Sequence, residues 1–347
     1  MKRRWIWTFV AVGCLAAAVG IFFLARSIYQ GHYPITVEPS STWEPYVQSL
    51  DARRESLEVE ADDGTRLGAE LFIPNGGAER KAAIVWTPGS SDGAYHDYAW
   101  GLIETYVLDV FLSRDIAVLL TNKRGVGESE GNWLRQGIEG RAEDVYAAVR
   151  ALQAHPAVDA DRVGLVGHSQ GGWVVQQAAA EHDDVAFWIS LAGPTTSVWR
   201  NAEDNRWHIY RCEGYEGADL DAKVQSSMRM PRLGYNLGKW TRFGSWYRDY
   251  LILDFDPADA LRSVQSPGLL VYAENDDQVT PQLSLDRLNE LFDGNPPEHL
   301  TTVVLEDATH AFRLVDDPCE SWVDVPDQPQ SEELVQTLND WLAAQGY

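Results

Sequence analysis

The stretch Gly167-His168-Ser169-Gln170-Gly171 sets a serine between glycines two residues away on either side. It follows an apolar run at 163–166 directly and leads into a helical pattern at 171–181. A serine on a tight strand-to-helix turn projects its hydroxyl above the sheet, and such a turn has no room for side chains at the flanking positions. The chemistry suggested is nucleophilic attack on a carbonyl. A serine hydroxyl is a weak nucleophile at neutral pH, so Ser169 needs a base within hydrogen-bond reach and an acid to fix the tautomer of that base. Eight histidines compete for the role of base. His168, inside the turn, points away from its neighbour and reads as a packing or hydrogen-bonding residue.

A serine so placed requires a particular order of elements. Apolar runs at 83–86, 116–120, 163–166, 185–191, 268–272 and 300–305 each have the size of a strand buried on both faces. Helical patterns at 98–113, 140–154, 171–181, 281–292 and 331–344 lie between them, with Pro281 at a first-turn position and Ser331 as a cap. Alternation of this kind predicts an α/β fold: a mostly parallel sheet, helices on both faces, right-handed crossovers, and ligands at the carboxyl ends of the strands. Before it, alternating apolar and polar residues around Asp63-Gly64 predict a β-hairpin. Roughly 75 residues separate the runs ending at 191 and starting at 268, too long for a plain connection, so 195–265 is expected to be an inserted cap. Its aromatic residues, Trp199, Trp207, Trp240 and Trp246 among them, either form a small core of their own or line a pocket for an apolar substrate.

At this point the chain resembles the α/β-hydrolase family over about residues 56–345, most closely the bacterial serine esterases and acylaminoacyl-peptidase-like hydrolases. The likeness rests on the elbow at 167–172 and on Asn122-Lys123-Arg124-Gly125-Val126-Gly127-Glu128-Ser129, which is similar to the family's [DN]-x-R-G-x-G-x-S loop, a structural loop flooring the site. The resemblance implies a triad in the order serine, acid, histidine. His299 and His310 lie beyond the cap; His299 precedes a strand at the wrong end of the sheet, which leaves His310 as base. Ala273-Glu274-Asn275-Asp276-Asp277-Gln278-Val279-Thr280-Pro281 is similar to the family's G-x-x-D-x-x-V-P and selects Asp276 as the acid. It departs from that pattern in Ala273 for Gly and in the extra Thr280, which keeps Asp277 as a second candidate. The oxyanion formed on attack calls for two backbone N–H donors. The resemblance assigns one to Gln170, after the nucleophile, and the other to Ser90, in Thr87-Pro88-Gly89-Ser90, where the family has H-G-S-G.

The two ends of the chain differ in charge. The 28 basic and 52 acidic residues give −24 overall, while the first 26 positions carry Lys2, Arg3, Arg4 and Arg26 and no acid. So acidic a body repels nucleic acid. Residues 5–24 are apolar and uncharged, long enough to cross a bilayer, and the leading basic residues keep the N-terminus cytoplasmic and the body exported. The expected division is an anchor or signal at 1–26, a stalk with little structure at 27–55, core at 56–194, cap at 195–265 and core again at 266–347. A secreted body, freed by signal cleavage, is the alternative. Of three cysteines, Cys212 and Cys319 either pair in an oxidising compartment or remain free buried thiols, and Cys14 sits in the apolar segment. No metal-ligand spacing and no cofactor motif occurs. The expected function is hydrolysis of a small-molecule ester or acyl substrate through an acyl-enzyme, with no cofactor. An aminopeptidase, acyl-peptidase or thioesterase on the same triad is the alternative, and a non-catalytic binding protein of the same fold is the rival of a different class.

Overall fold

The computed structural model describes residues 13–14, 16–23, 40–98, 101–242 and 244–347. Eight strands form one sheet in the order β1-β2-β4-β3-β5-β6-β7-β8. β1 (Ala52–Glu60) and β2 (Arg66–Pro74) form an antiparallel hairpin, turning through Asp63-Gly64 as expected, and β2 pairs antiparallel with β4 (Ala117–Thr121). From there β4, β3 (Lys81–Thr87), β5 (Val158–His168), β6 (Trp188–Leu191), β7 (Gly268–Ala273) and β8 (Leu300–Leu305) run parallel. This is the mostly parallel, eight-stranded sheet of an α/β-hydrolase fold.

Position in the sheet explains the sequence pattern of each strand. β3 and β7 lie inside the sheet and every residue of each is buried, whereas the edge strands β1 and β8 are mostly exposed or half-buried, with Val59 the buried residue of β1 and Leu300 and Leu305 those of β8. Even in the fully apolar strands the pleat sorts side chains by parity. Ala83, Val85, Leu119, Leu165 and Leu270 enter one core, and Ile84, Trp86, Val118, Val166 and Leu269 enter the core on the opposite face.

The first face is covered by α3 (Ile138–Gln153) and α4 (Gln170–Glu181). The second is covered by α1 (Trp43–Ser49), a π-helical turn at Ile103–Asp109 running on into α2 (Val110–Ser113), and α11 (Glu332–Ala344). Between β6 and β7 the chain forms α5 (Val198–Cys212), α6 (Gly217–Ser227), α7 (Arg229–Thr241), α8 (Gly244–Ile252) and α9 (Ala258–Ser263), the helical cap expected there. α9 belongs with the core, since Ala258 and Leu261 pack into it. α10 (Pro281–Leu291) starts at Pro281 and α11 is capped by Ser331, whose Oγ accepts the Leu334 N–H.

Two expectations need correction. The stretch at 27–55 is not a stalk throughout: Trp43 is buried in the core with Val47 behind it, and β1 begins at Ala52, so packing starts well before residue 56. The run at 185–191 enters the sheet only at Trp188. As for the membrane span, residues 13, 14 and 16–23 are helical, and the rest of 5–24 lies outside the described residues. No helix among the described residues is long and apolar enough to cross a membrane.

Candidate active site

Ser169 occupies the sharp turn between β5 and α4 with φ 55° and ψ −124°, a region that L residues rarely adopt. Its N–H is held by the Leu191 carbonyl at 2.9 Å. The glycines are required sterically: a β-carbon on Gly167 would overlap the Gly171 carbonyl, and one on Gly171 would overlap the Thr87 carbonyl. Gly89, in the loop after β3, is pressed close as well, because a β-carbon there would stand 3.0 Å from that of Ser169.

His310 lies in the loop after β8 and Asp276 in the loop after β7, both at the carboxyl end of the sheet, as is the turn after β5 that carries Ser169. His310 Nδ1 and Asp276 Oδ2 are 2.8 Å apart, with both side chains almost completely buried. The other carboxylate oxygen of Asp276 accepts the N–H groups of Gln278 and Val279 at 2.8 and 2.9 Å, which fixes its plane. Asp277 points elsewhere: its Oδ2 accepts the Ser321 hydroxyl at 2.8 Å. Of the two acidic candidates, therefore, Asp276 is the one joined to His310. No hydrogen bond joins Ser169 Oγ to His310 in this conformation; such bonds are often loose before substrate binds.

A chain of buried hydrogen bonds ties the elements of the site together. The Gly89 N–H donates to Tyr98 Oη at 2.8 Å, Tyr98 Oη bonds His168 Nδ1 at 2.8 Å, and His168 Nε2 bonds the His310 carbonyl at 2.8 Å. A carbonyl can only accept, so His168 carries its proton on Nε2 and takes the tyrosine proton on Nδ1. The imidazole must be neutral for this pattern, and burial, with His310 adding to it, pushes its pKa down to about 3. Tyr106, presented by the π-helical turn, donates to the Phe312 carbonyl at 3.1 Å and secures the same loop from the far side.

Of the expected oxyanion donors, Gln170 follows Ser169 in the chain and Ser90 follows Gly89, the residue pressed against Ser169. Gln170 is buried at the first position of α4, where its N–H has no acceptor within the helix. Ser90 is exposed, and its N–H has no partner among the described residues. Arg141 on α3, fully buried, reaches both sides: one guanidinium nitrogen bonds Gln170 Oε1 and the other the Pro88 carbonyl. Burial lowers its pKa to about 10, so the guanidinium remains charged at neutral pH. Lys123, also buried, donates to the carbonyls of Gly89, at 2.9 Å, and Ser91, and stacks 4.0 Å from the Trp133 ring centroid. Trp133 Nε1 in turn holds Asp92 Oδ1 at 3.0 Å. The loop 88–92 is therefore gripped at four of its five residues, Pro88, Gly89, Ser91 and Asp92.

The sequence reading missed Arg141, Lys123 and Tyr98 as site residues. Arg141 did carry a signal: it falls three after Ile138 and four before Val145, a charged residue within the apolar stripe of its own helix. The grip of the cap on the acid loop left no such signal. Asn201 and Asn205 on α5 donate to the carbonyls of Gln278 and Asp277, at 3.2 and 2.5 Å, and Thr280 bonds Asp204. Cys212, at the end of the same helix, forms a disulfide with Cys319 in the loop following His310. That loop also brings Trp322 to 5.6 Å from the His310 ring. Both cysteines are exposed, so the alternative of buried free thiols is set aside. Trp240 does not line a pocket here, being 84% exposed.

A model of the alpha/beta hydrolase family matches residues 84–325. The chain belongs to that family. Among curated relatives, a thiohydrolase of Aspergillus aculeatus is 29% identical over 40% of this chain and 41% of its own length. An uncharacterized peptidase of Bacillus subtilis is 25% identical over 53% of this chain and 61% of its own. The chain thus spans less than two thirds of either relative. Among solved structures, a Pyrococcus furiosus esterase superposes with a TM-score of 0.60 at 15% identity, covering 92% of this chain and 99% of that one. A puromycin-hydrolyzing peptidase of Mycobacterium tuberculosis gives a TM-score of 0.56 at 19% identity, over 89% of this chain and 41% of its own. At such identities the structures speak for the fold.

Proposed function

We propose that this member of a hydrolase family is a serine hydrolase that cleaves carboxylic esters through an acyl-enzyme. The observation that carries the reading is the buried, 2.8 Å pairing of His310 with Asp276, with the His310 carbonyl bonded to His168, the neighbour of a serine held on a strained elbow. Ser169 Oγ attacks the ester carbonyl carbon as His310 Nε2 takes its proton, and Asp276 stabilises the imidazolium through Nδ1. The N–H groups of Ser90 and Gln170 receive the oxyanion, and each such donor is worth about 2.7–4 kcal/mol of barrier. Collapse breaks the bond to the alcohol, which leaves with the proton from His310. Water then attacks the acyl carbon, passing a proton to His310, and the acid departs as that proton returns to Ser169. The Ser169–His310 hydrogen bond closes when substrate fills the site.

Export of the body is part of the same proposal: the apolar segment 5–24 and the Cys212–Cys319 disulfide both suit an oxidising, extracytoplasmic compartment, with the N-terminal segment as anchor.

The test is a fluorophosphonate probe followed by a panel of ester, thioester and aminoacyl-amide substrates. The wild type should be labelled and Ser169→Ala should not, with esters turned over fastest. Failure to label a folded wild type would leave the non-catalytic reading. Faster thioester or amide turnover would retain the triad and move the substrate class toward those in the names of the Aspergillus and Bacillus relatives.

A further inference from the structure

Residues 229–248 contain Arg229, Arg232, Lys239, Arg242 and Arg248 and no acidic residue, in a chain whose net charge is −24. They form most of the α7–α8 hairpin of the cap. On α7, Met230, Leu233, Leu237 and Trp240 follow one another at spacings of three and four, so they share one face. That face is open: Met230 is 67% exposed, Leu233 49% and Trp240 84%, with Trp246 of α8 at 42%. The adjoining face is the one that packs, since Gly234 and Gly238 are buried and a β-carbon on Gly238 would overlap the backbone of Trp246. Arg229, Arg232, Lys239 and Arg242 are all exposed; Arg232 lies 5.3 Å over the Trp199 ring, and no ion pair to a described residue holds the other three. By helical rotation Arg229, Arg232 and Lys239 lie along one flank of the apolar stripe.

From this surface we infer that the α7–α8 hairpin docks on an anionic phospholipid bilayer. An exposed tryptophan beside leucine and methionine, flanked by exposed cations, is the composition of a helix that lies in the membrane interface, apolar face in the acyl boundary and cations among the headgroups. Charge complementarity selects the occupant. Most of this molecule repels anionic lipid, so a continuous basic stretch is the place where headgroup phosphates are attracted, at about 1 kcal/mol for each Lys or Arg near the surface. The same charges disfavour a second copy of the hairpin, which would bring cation against cation. Docking would set the site close to the bilayer, because α8 packs beside the loop that follows β3: Arg248 lies 4.7 Å over the Trp133 ring, and Trp133 holds Asp92. The inference stands on the cap alone and does not need the esterase reading.

The experiment uses the full chain carrying Cys14→Ser and Asn236→Cys, the new thiol labelled with an environment-sensitive fluorophore and the Cys212–Cys319 bond left oxidised. The protein is mixed with vesicles of phosphatidylcholine, with or without phosphatidylglycerol, containing nitroxide-labelled lipid. Because the label reports only its own surroundings, attachment through residues 5–24 does not mimic the signal. Strong quenching is expected on the phosphatidylglycerol vesicles, reduced by high salt and reduced about a hundredfold in partition by Arg229→Glu with Lys239→Glu and Arg242→Glu. Ester hydrolysis by the labelled variants, or their circular dichroism should esterase activity be absent, checks that they are folded. An unquenched label on a folded protein overturns the proposal, and so does equal quenching on pure phosphatidylcholine. A blue shift without vesicles that disappears on dilution overturns it in favour of self-association.

Discussion

Below the candidate site, every side chain of β3 and β7 is buried; above it, α5 buries only Val198 and α7 only Gly234 and Gly238. The sheet is held by apolar contacts on two faces, the cap by a small cluster of Leu220, Val224 and Met228, by polar contacts to the acid loop and by one disulfide. The difference teaches where each kind of perturbation should register. Removing a side chain of the candidate triad, in the loops at the end of the sheet, should alter chemistry with the fold intact, and changes on the cap should alter stability or substrate handling with the chemistry intact.

The sharpest way to break that comparison lies on the sheet side. His310→Ala should lower kcat by about 10^4-fold or more while the far-UV circular dichroism is unchanged, as expected for a group that acts as one unit with its nucleophile. Retained turnover would remove His310 from the mechanism. On the cap side, Cys212→Ser with Cys319→Ser opens a loop whose ends are 107 residues apart in sequence. Denaturant unfolding should show a loss of about 2–4 kcal/mol, with a separate early transition if the cap melts on its own.

The next effect depends on pH and belongs to the hydrogen-bond chain under the site. His168 titrates near 6.5 when unfolded and near 3 when folded, so between those values the unfolded chain binds the extra proton. Stability from this group is complete above pH 6.5 and falls as pH drops, by up to about 1.4 kcal/mol per unit. Urea midpoints between pH 7 and 5, above the main carboxylate range, should show that slope in the wild type, and His168→Gln should flatten it. An equal slope in the variant would mean that the burden lies on another group. Smaller still, Arg141→Met should lower kcat roughly tenfold with little change in KM, since it removes the link between Gln170 and Pro88 and leaves the triad in place. A change confined to KM would instead place Arg141 in substrate binding.

Legibility divides along the same line. The elbow, the alternation of strands and helices and the cap insertion were readable because each has a local cause: a steric demand for Gly167 and Gly171, a period in the apolar residues, a length without a strand. Asp276 and His310 were readable through their place after β7 and β8, which a family pattern supplies and local chemistry does not. Trp43 escaped because two buried residues, Trp43 and Val47, in a helix of seven are too few to set a detectable period. The clamp of Lys123 on Gly89 and Ser91, and that of Asn201 and Asn205 on the acid loop, depend on side chains meeting backbone carbonyls far away in sequence. Neither composition nor spacing encodes such meetings.

Trp240 gives the smallest effect and the most discriminating one. Its aromatic ring suggested a wall for an acyl pocket, and its 84% exposure places it on the outer surface of the cap. Trp240→Ala should therefore change unfolding free energy by no more than about 0.5 kcal/mol, as for other surface substitutions. Its kcat/KM on soluble short- and long-chain esters should remain within about twofold of wild type, because a group outside the site contributes no transition-state contact. A shifted chain-length preference on soluble substrates would mean that the cap closes over substrate and carries Trp240 inward. It would then turn the loosely packed cap from a fixed roof into a moving one, with the Cys212–Cys319 bond as the point about which it is held.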